Sequence, residues 1–317
     1  MSWAKTTVQT VGAVYLAGSL AALQAAPTAR PGMINYTEGR VTIDGQTVTA
    51  NSDGKTELEP GQVLSTIQGK AEMLLTPGVF LRLGDNASVR MVSPSLTDTR
   101  VELLKGEAMG EADQVLRGNH LVIADHGVDT SIEKNGLYRF TTDPGQVAVY
   151  DGKAQVFLDE HAIDVGKGKQ VALTQVAEAK IKPDKFDRHQ SDSLYQWSDV
   201  RSQYVAEANQ SSVQYIVDAN PWGWGMGWYW NPWFSSWAFV PGDGFFASPF
   251  GYGFYSPVYW RTYAPQHYYS RPGVIATNPR ARGFVGGGMH AAPAMRGAGG
   301  FSRGGFGGGG FHGGGRR

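Results

Sequence analysis

The stretch MLLTPGVFLRLGDN, residues 73–86, decides the fold class of this chain. Two apolar runs are separated by the turn-forming triplet TPG (76–78) and closed by GDN (84–86). In the second run Arg82 stands between two leucines, so polar and apolar residues alternate. Alternation with a period of two between tight turns predicts two short β-strands joined as a hairpin.

The same pattern extends over residues 34–176. Short alternating runs recur between turn residues, as in VTIDG (41–45) and VAVYDG (147–152). No window in this region carries a helical stripe of apolar residues. The spacing of the turns therefore favours an all-β domain of many short strands, a roll or sandwich, over alternating β-α-β units.

Residues 183–217 have a different period, which predicts one amphipathic α-helix centred on 190–210. The apolar residues that follow this period are Phe186, Leu194, Trp197, Val200, Tyr204 and Ala208. We expect the face with Leu194, Trp197 and Tyr204 to pack on the β region. The candidate ends of the helix are Asp184 or Ser191 at its start and Asn209 or Asn220-Pro221 at its end.

The segment 218–270 is rich in aromatic, proline and glycine residues. Between Trp222 and Tyr269, 20 of 48 residues are aromatic, and seven of the nine tryptophans of the chain occur there. Exposed rings suit stacking on sugars, flat ligands or other rings, whereas rings folded back on the β region would extend its core. Both alternatives remain open from the sequence. The candidate binding residues are Trp222, Trp224, Trp228, Trp230, Trp233 and Trp237.

Residues 271–317 form a basic, glycine-rich tail, for which the composition predicts disorder. Eight arginines and no acidic residue follow Asp243, so residues 1–243 hold the other 20 basic residues against all 28 acidic ones, a net charge of −8. Such asymmetry is typical of an interaction tail. The expected partners are an anionic polymer or lipid headgroups, and not intracellular nucleic acid. The alternative is a solvated tail without a specific partner.

Residues 1–25 have the features of a secretory signal peptide. Lys5 precedes an uncharged stretch, residues 8–23, and Ala25 offers a small residue at a cleavage point. The stretch is short for about 30 Å of hydrocarbon, so cleavage is preferred over retention as an anchor. The chain contains no cysteine, which excludes disulfides and a lipid on an N-terminal cysteine. We expect an exported protein of the periplasm, the outer-membrane surface or the extracellular space.

No motif for catalysis or for a cofactor is present. The seven histidines lack the spacing of metal ligands, GKGK (166–169) lacks that of a phosphate-binding loop, and no nucleophile elbow occurs. The triplet DEH (159–161) is better explained as a hairpin turn than as a metal site. We therefore expect no enzymatic activity, no cofactor and no metal.

The β region resembles the extracytoplasmic domain of FecR-type proteins over about residues 36–176. The shared pattern is a series of strands closed by glycine, in the same order. The pieces that carry it are GKAEMLL (69–75), VFLRL (79–83), VELLKGEA (101–108), HLVIA (120–124), GLYRF (136–140), VAVYDGKA (147–154) and VGKGKQV (165–171). The segment GLYRF stands where the family has Gly-Thr-x-Phe.

The resemblance implies a β-rich, non-enzymatic domain outside the cytoplasmic membrane, and it brings no catalytic residues with it. The best-known members relay a signal from an outer-membrane receptor to a sigma factor. Only residues 1–5 precede the apolar stretch here, so a sigma factor is not an expected partner. The hypothesis is an exported binding or scaffold protein that contacts an envelope component or polysaccharide through its aromatic segment. The alternative is a membrane-tethered regulatory protein of the FecR type with an uncleaved N-terminus.

Overall fold

The computed structural model describes residues 29–49, 54–158, 161–173, 182–189, 191–219 and 224–263. The chain divides into two units, Met1–Tyr263 and Ala264–Arg317, and all the described residues belong to the first. The predicted signal peptide (1–25) and the predicted disordered tail (271–317) lie outside the described residues, as does Trp222.

Short strands predominate in the first part of the chain, and most of their connections are tight turns. In chain order the strands are β1 (Ile34–Ile43), β2 (Gln46–Thr47), β3 (Val63–Leu74), β4 (Val79–Leu83), β5 (Ser88–Ser95), β6 (Asp98–Lys105), β7 (Glu107–Ala112), β8 (His120–Asp125), β9 (Val128–Ile132), β10 (Gly136–Thr142), β11 (Gly145–Asp151), β12 (Lys153–Leu158), β13 (His161–Gly166), β14 (Lys169–Ala172) and β15 (Asp184–Lys185). The hairpin expected at residues 73–86 is confirmed as the end of β3, the turn and β4.

The second part of the chain combines two helices with two small hairpins. They are α1 (Ser193–Ala219), β16 (Gly227–Asn231), β17 (Ser236–Val240), β18 (Phe245–Ala247), β19 (Gly253–Tyr255) and α2 (Pro257–Tyr263). β16 pairs with β17, and β18 pairs with β19, both antiparallel. The segment that the sequence marked only as aromatic therefore has regular structure in residues 227–263.

The fifteen strands β1 to β15 form one hydrogen-bonded sheet within the described residues. Its order is β13-β12-β9-β8-β6-β5-β3-β4-β7-β10-β11-β14-β15, with β1 paired to β3 and β2. Neighbouring strands are antiparallel except β6 and β8, which run parallel. The expected all-β class with many short strands is confirmed.

Two long strands, β1 and β3, connect the halves of this sheet. The first residues of β3 pair with β5, and its last residues pair with β4. Gly39 and Gly69 face each other in the ladder, beside a register shift that marks a β-bulge. A Cβ on Gly69 would lie 2.0 Å from the carbonyl oxygen of Glu38, so only glycine permits this close approach of the two backbones.

One apolar core lies between the two halves of the sheet. Val89 and Ile123 of one half belong to the same buried cluster as Leu81, Phe140 and Val149 of the other half. These residues alternate along their strands with residues on the outer face, as the period of two requires. Because both halves contribute inward-facing residues, the sheet folds as a sandwich around this core.

The helix α1 packs on the outer face of β4 and β7. It begins after Asp192, whose Oδ1 accepts a hydrogen bond from the Tyr195 backbone N–H at 2.8 Å. The expectation of a cap at Asp184 or Ser191 was therefore wrong. The helix passes through Asn209 and ends at Ala219, directly before Asn220-Pro221, since a residue that precedes proline disfavours the helical conformation.

The face of α1 that packs on the sheet is more polar than expected. Leu194 is buried as predicted, whereas Trp197 and Tyr204 are half-buried. The Trp197 ring nitrogen donates to Glu38 Oε2 at 2.9 Å. The fully buried polar residues of this face are Ser198, Ser202 and Asn209, with Arg201 at 5% exposure. Arg201 and Ser202 bond Glu72 and Glu111 of the sheet, whereas Asn209 Nδ2 donates to the carbonyls of Phe239 and Tyr255.

Candidate functional site

The aromatic segment packs on the sheet and on α1 over residues 224–263. Trp228, Trp237, Phe239 and Phe254 of this segment form one buried cluster with Phe80 of β4. The Phe80 ring lies 5.0 Å from the Trp228 ring in an edge-to-face arrangement. Of the two alternatives that the sequence left open, packing against the β region is the one that the structure adopts for most of these rings.

Three of the candidate tryptophans are withdrawn from solvent to different degrees. Trp237 is 1% exposed, Trp228 is 9% exposed, and Trp230 is partly buried. The Trp230 ring lies 5.5 Å from the Trp237 ring and covers Gly54, where an added Cβ would come within 2.0 Å of it. Stacking on a ligand through Trp228 or Trp237 would require these rings to leave the core.

A single side-chain amide joins the strand β17 to the sheet. Asn35 Oδ1 accepts a hydrogen bond from the Trp237 backbone N–H at 2.7 Å, and Asn35 Nδ2 donates to Glu72 Oε1 at 2.8 Å. The Trp237 ring nitrogen donates to the carbonyl of Gly54 at 2.9 Å. Asn35 is fully buried, and its side chain forms the hydrogen bond to the β17 backbone that a paired strand would otherwise form.

Among the candidate tryptophans that the structure describes, Trp233 is the most exposed, with 72% of its surface accessible to solvent. Trp224 is partly buried. A binding role for Trp224 and for the other candidate tryptophans stays a prediction. The Trp233 ring lies 6.5 Å from the ring of Tyr215, which is 62% exposed on α1. Next to this pair, the Phe234 ring lies 5.1 Å from the ring of Tyr204. We refer to Tyr204, Tyr215, Trp233 and Phe234 together as the ring surface.

The ring surface follows one side of α1. Tyr204 and Tyr215 are eleven residues apart, which corresponds to about 16 Å along a helix. The turn between β16 and β17 places Trp233 and Phe234 against these two tyrosines. The tyrosines of this surface were not among the candidates from the sequence, because they lie in the helix and not in the aromatic segment.

A buried asparagine holds the turn that carries Trp233. Asn231, which is 1% exposed, accepts hydrogen bonds at Oδ1 from the backbone N–H groups of Trp233 (3.1 Å) and Phe234 (3.3 Å). Its Nδ2 donates to the carbonyl of Ala208 and to Ser212 Oγ on α1, both at 3.1 Å. The turn is therefore fixed to the helix, and the exposed rings have a set position before any ligand arrives.

Four buried charges lie between α1 and the sheet. Arg82 Nε donates to Glu72 Oε2 at 2.8 Å, and Arg82 Nη1 contacts Glu111 Oε2. Arg201 Nη2 of α1 donates to Glu72 Oε1 at 2.8 Å. Ser202 Oγ donates to Glu111 Oε1 at 2.6 Å, so the helix contacts both carboxylates. Two arginines balance two glutamates in this buried network, as burial of charge requires.

The network shifts the proton affinity of two carboxyl groups in opposite directions. Burial alone would raise the pKa of Glu72, but Arg201 and Arg82 outweigh it and hold that pKa below its usual value. Asp113, which directly follows β7, is also buried. Burial, together with the neighbouring Glu111 carboxylate, raises the pKa of Asp113 well above its usual value. Glu72 therefore ionises more readily than a free glutamate, and Asp113 ionises less readily than a free aspartate.

Across the part of the chain that the structure describes, no three His, Asp or Glu side chains lie together as metal ligands. Neither helix among the described residues has the length and apolar character needed to cross a membrane.

No family model and no curated protein matches this chain. Two crystal structures of proteins from Parabacteroides distasonis ATCC 8503, each described as a "putative anti-sigma factor", are similar to parts of it. The first is 16% identical with a TM-score of 0.34, over 40% of this chain and 60% of the other. The second is 13% identical with a TM-score of 0.35, over 57% of this chain and 99% of the other. Values this low assign neither a family nor an activity, and the FecR resemblance stays a prediction.

Proposed function

We propose that this protein is an exported, non-enzymatic binding protein of the cell envelope that attaches to polysaccharide through the ring surface. One observation carries the proposal: the Trp233 ring is 72% exposed, while the backbone that bears it is held by the buried Asn231. A large apolar ring in contact with water contributes little to the fold. Its fixed position lowers the entropy that a ligand would have to remove on binding.

The chemistry around the rings favours a carbohydrate. The C–H face of a pyranose can lie against an aromatic ring, and its hydroxyl groups need donors and acceptors at the rim. Glu207 stands three helical positions from Tyr204 and Ser211 stands four from Tyr215, so they provide a carboxylate acceptor and a hydroxyl that can donate or accept. No lysine or arginine follows Arg201 in α1, so this side of the helix offers no cation to an anionic polymer.

Export is the second part of the proposal. It is supported by the signal-peptide pattern of residues 1–25. Mass spectrometry of the protein from fractionated cells tests it. A mature chain that starts at Ala26 in a periplasmic, outer-membrane or extracellular fraction is the expected result. A chain that starts at Met1 in the inner membrane would overturn export and favour the regulatory alternative.

Co-sedimentation with insoluble polysaccharide tests binding through the ring surface. We expect the wild-type protein to sediment with purified peptidoglycan or with cellulose. The double variant Trp233→Ala, Tyr215→Ala should bind about tenfold more weakly, which corresponds to about 1.4 kcal/mol. The matched control is Tyr263→Ala, because Tyr263 is a tyrosine of similar exposure, 66%, on α2.

Circular dichroism of each variant shows whether the fold is intact. Both ring-surface residues are mostly exposed, so their replacement is expected to leave the β-rich spectrum and the melting temperature unchanged. Equal sedimentation of wild type and double variant would overturn the assignment of the ring surface. Failure of the wild-type protein to bind either polysaccharide would overturn the proposed function itself.

A further inference from the structure

A polar groove of about 630 Å³ opens on the outer face of the sheet, beside the start of α1. Alternate residues of β11 and β14, namely Gln146, Ala148 and Gln170, point to it from the sheet. Phe186 and Asp192, from the segment that leads into α1, line it as well. We call this site the helix-start groove. It lies on residues that do not belong to the ring surface.

The charge in the helix-start groove is unfavourable for an anion. Arg139 is its one cationic lining residue, and Arg139 Nη2 already pairs with Glu107 Oε2 at 2.6 Å and with Asp192 Oδ2. Asp143 and Asp187 also line the groove. The groove lining therefore holds four carboxylates and one guanidinium, which two of those carboxylates already engage, so a phosphate or a uronic acid would be repelled.

Two glutamine amides are available on the floor of the groove. In the β11–β14 ladder Ala148 is opposite Gln170, and Gln146 is opposite Ala172. Gln146 and Gln170 are thus diagonal neighbours about 7–8 Å apart, and the small side chain of Ala148 lies next to both. Each primary amide offers two N–H donors and one acceptor oxygen, the complement of adjacent hydroxyl groups.

An aromatic wall completes the groove. The half-buried Phe186 ring packs edge-to-face on the Tyr150 ring, with their centroids 4.9 Å apart. This contact fixes a ring beside the polar floor, where it can meet the C–H face of a sugar. The volume also lies in the range of about 300–1,000 Å³ that is typical of small-ligand sites.

From this arrangement we infer that the helix-start groove binds a saccharide unit that is neutral or carries an amino group. Gln146 and Gln170 form hydrogen bonds with the hydroxyl groups of the sugar, and Phe186 contacts its ring carbons. Asp143 and Asp187 of the lining accept hydrogen bonds from its hydroxyl or ammonium groups. The inference rests on the proposed function, from which it takes the class of ligand, a saccharide. It adds a second contact site on different residues.

Isothermal titration with soluble oligosaccharides tests this inference. The probes are cello-oligosaccharides, chitosan oligosaccharides and oligogalacturonates, which are neutral, amine-bearing and acidic respectively. We expect the neutral or the amine-bearing probe to bind at least tenfold more tightly than the acidic one. The variants Gln146→Ala and Gln170→Ala should each weaken that binding about tenfold. The matched control is Gln155→Ala on β12, because this amide bonds Asp164 at 3.1 Å, away from the groove lining.

The outcomes separate this inference from the proposed function. Unchanged affinity in both groove variants, tightest binding by the oligogalacturonate, or no binding of any soluble probe would each overturn the inference. If sedimentation with insoluble polysaccharide still depended on Trp233 in those cases, the proposed function would stand. Binding could instead depend on Gln146 and Gln170 while the Trp233 and Tyr215 double variant binds like the wild type. That result would support the groove as the binding site and overturn the assignment of the ring surface.

Discussion

At the scale of single residues, Gly54 decides how closely the aromatic segment approaches the sheet. Its φ is +70°, and a Cβ there would lie 2.0 Å from Trp230 Cζ3. Gly45 also has a positive φ, +81°, but nothing lies within 4 Å of its Cβ position. The two glycines therefore share a positive φ and differ in the space around their Cβ positions.

This pair gives a prediction with an internal control. We expect Gly45→Ala to cost about 1 kcal/mol, because alanine disfavours a positive φ. Gly54→Ala should cost about 2 kcal/mol more, because the methyl group displaces the Trp230 ring. Urea unfolding measures both losses in the free energy of unfolding, provided that the variants keep the m-value of the wild type. Equal midpoints for the two variants would show that Trp230 does not press on Gly54.

Asp113 gives a pH-dependence of known sign. Its pKa is raised in the folded protein above the usual 3.8, so between the unfolded and the folded pKa the folded state holds a proton that the unfolded state has lost. The stability contributed by that proton is complete below the unfolded pKa and is lost as the pH rises through the folded pKa. The slope in this window is at most about 1.4 kcal/mol per pH unit.

The substitution Asp113→Asn should remove that slope, since an amide does not titrate. Denaturation curves at several pH values above 4 would show it as a flatter dependence than in the wild-type protein. Glu72 provides the opposite sign: its lowered pKa gives stability that is present above the unfolded value of 4.5 and lost as the pH falls. Acid destabilisation should therefore persist in Asp113→Asn. An unchanged slope above pH 4 would contradict the assignment.

Exposure of the tryptophans is where residue-level prediction reached its limit. The seven tryptophans of residues 222–269 all lie in one segment rich in aromatic, proline and glycine residues, so composition could not separate buried rings from exposed ones. One local signal was available: Asn231-Pro232 directly precedes Trp233, and Asn-Pro is a turn former. A ring placed in a turn is more often exposed than rings at alternate positions of a strand, such as Trp228 and Trp230.

At the scale of elements, α1 shows why an apolar pattern can miss a buried face. The period of 3.6 residues correctly predicted a helix, but a pattern of apolar residues assigns Arg201 and Ser202 to solvent. Both are buried because Glu72 and Glu111 of the sheet are their partners. Glu72 and Arg82 are outward-facing polar positions of strands, which sequence alternation alone would also assign to water.

The buried network predicts a large penalty for the loss of one cation. Arg82→Met should cost about 3–5 kcal/mol, because Glu111 would remain buried without its arginine partner. The control is Arg90→Met, since Arg90 pairs with Glu102 at 2.8 Å on the surface with 43% of its side chain exposed. That change should cost at most about 1 kcal/mol. Similar unfolding midpoints for the two variants would contradict the buried network.

At the scale of the whole molecule, the connections between distant segments were beyond sequence reasoning. Asn35 contacts Trp237 across 202 positions, and Trp197 contacts Glu38 across 159 positions. Turn residues and periodicity report only on near neighbours, which is why the strands, the hairpin at 73–86 and the helix were predictable. The docking of the aromatic segment depends on these long-range bonds, and the sequence could only leave it open.

The aromatic segment should therefore behave as part of the fold. Trp228 contacts the rings of Phe80 and Phe239, at 5.0 and 5.9 Å between centroids. Trp228→Ala would leave a cavity in this cluster and should cost about 3–5 kcal/mol. Thermal unfolding followed by near-ultraviolet circular dichroism measures the change. A stability equal to that of the wild type would place this ring outside the core.

The central claim is that one aromatic side chain, Trp233, contacts polysaccharide from a fixed position on a folded aromatic segment. The most direct test is the sedimentation isotherm of Trp233→Ala and Trp233→Phe beside the wild type. We predict that the alanine variant keeps wild-type stability and binds more weakly than the wild type, by no more than the roughly tenfold loss of the double variant. Phenylalanine should restore most of the binding because a ring is again present. Retention of the alanine variant at wild-type strength, or failure of phenylalanine to restore binding in a folded protein, would contradict the claim.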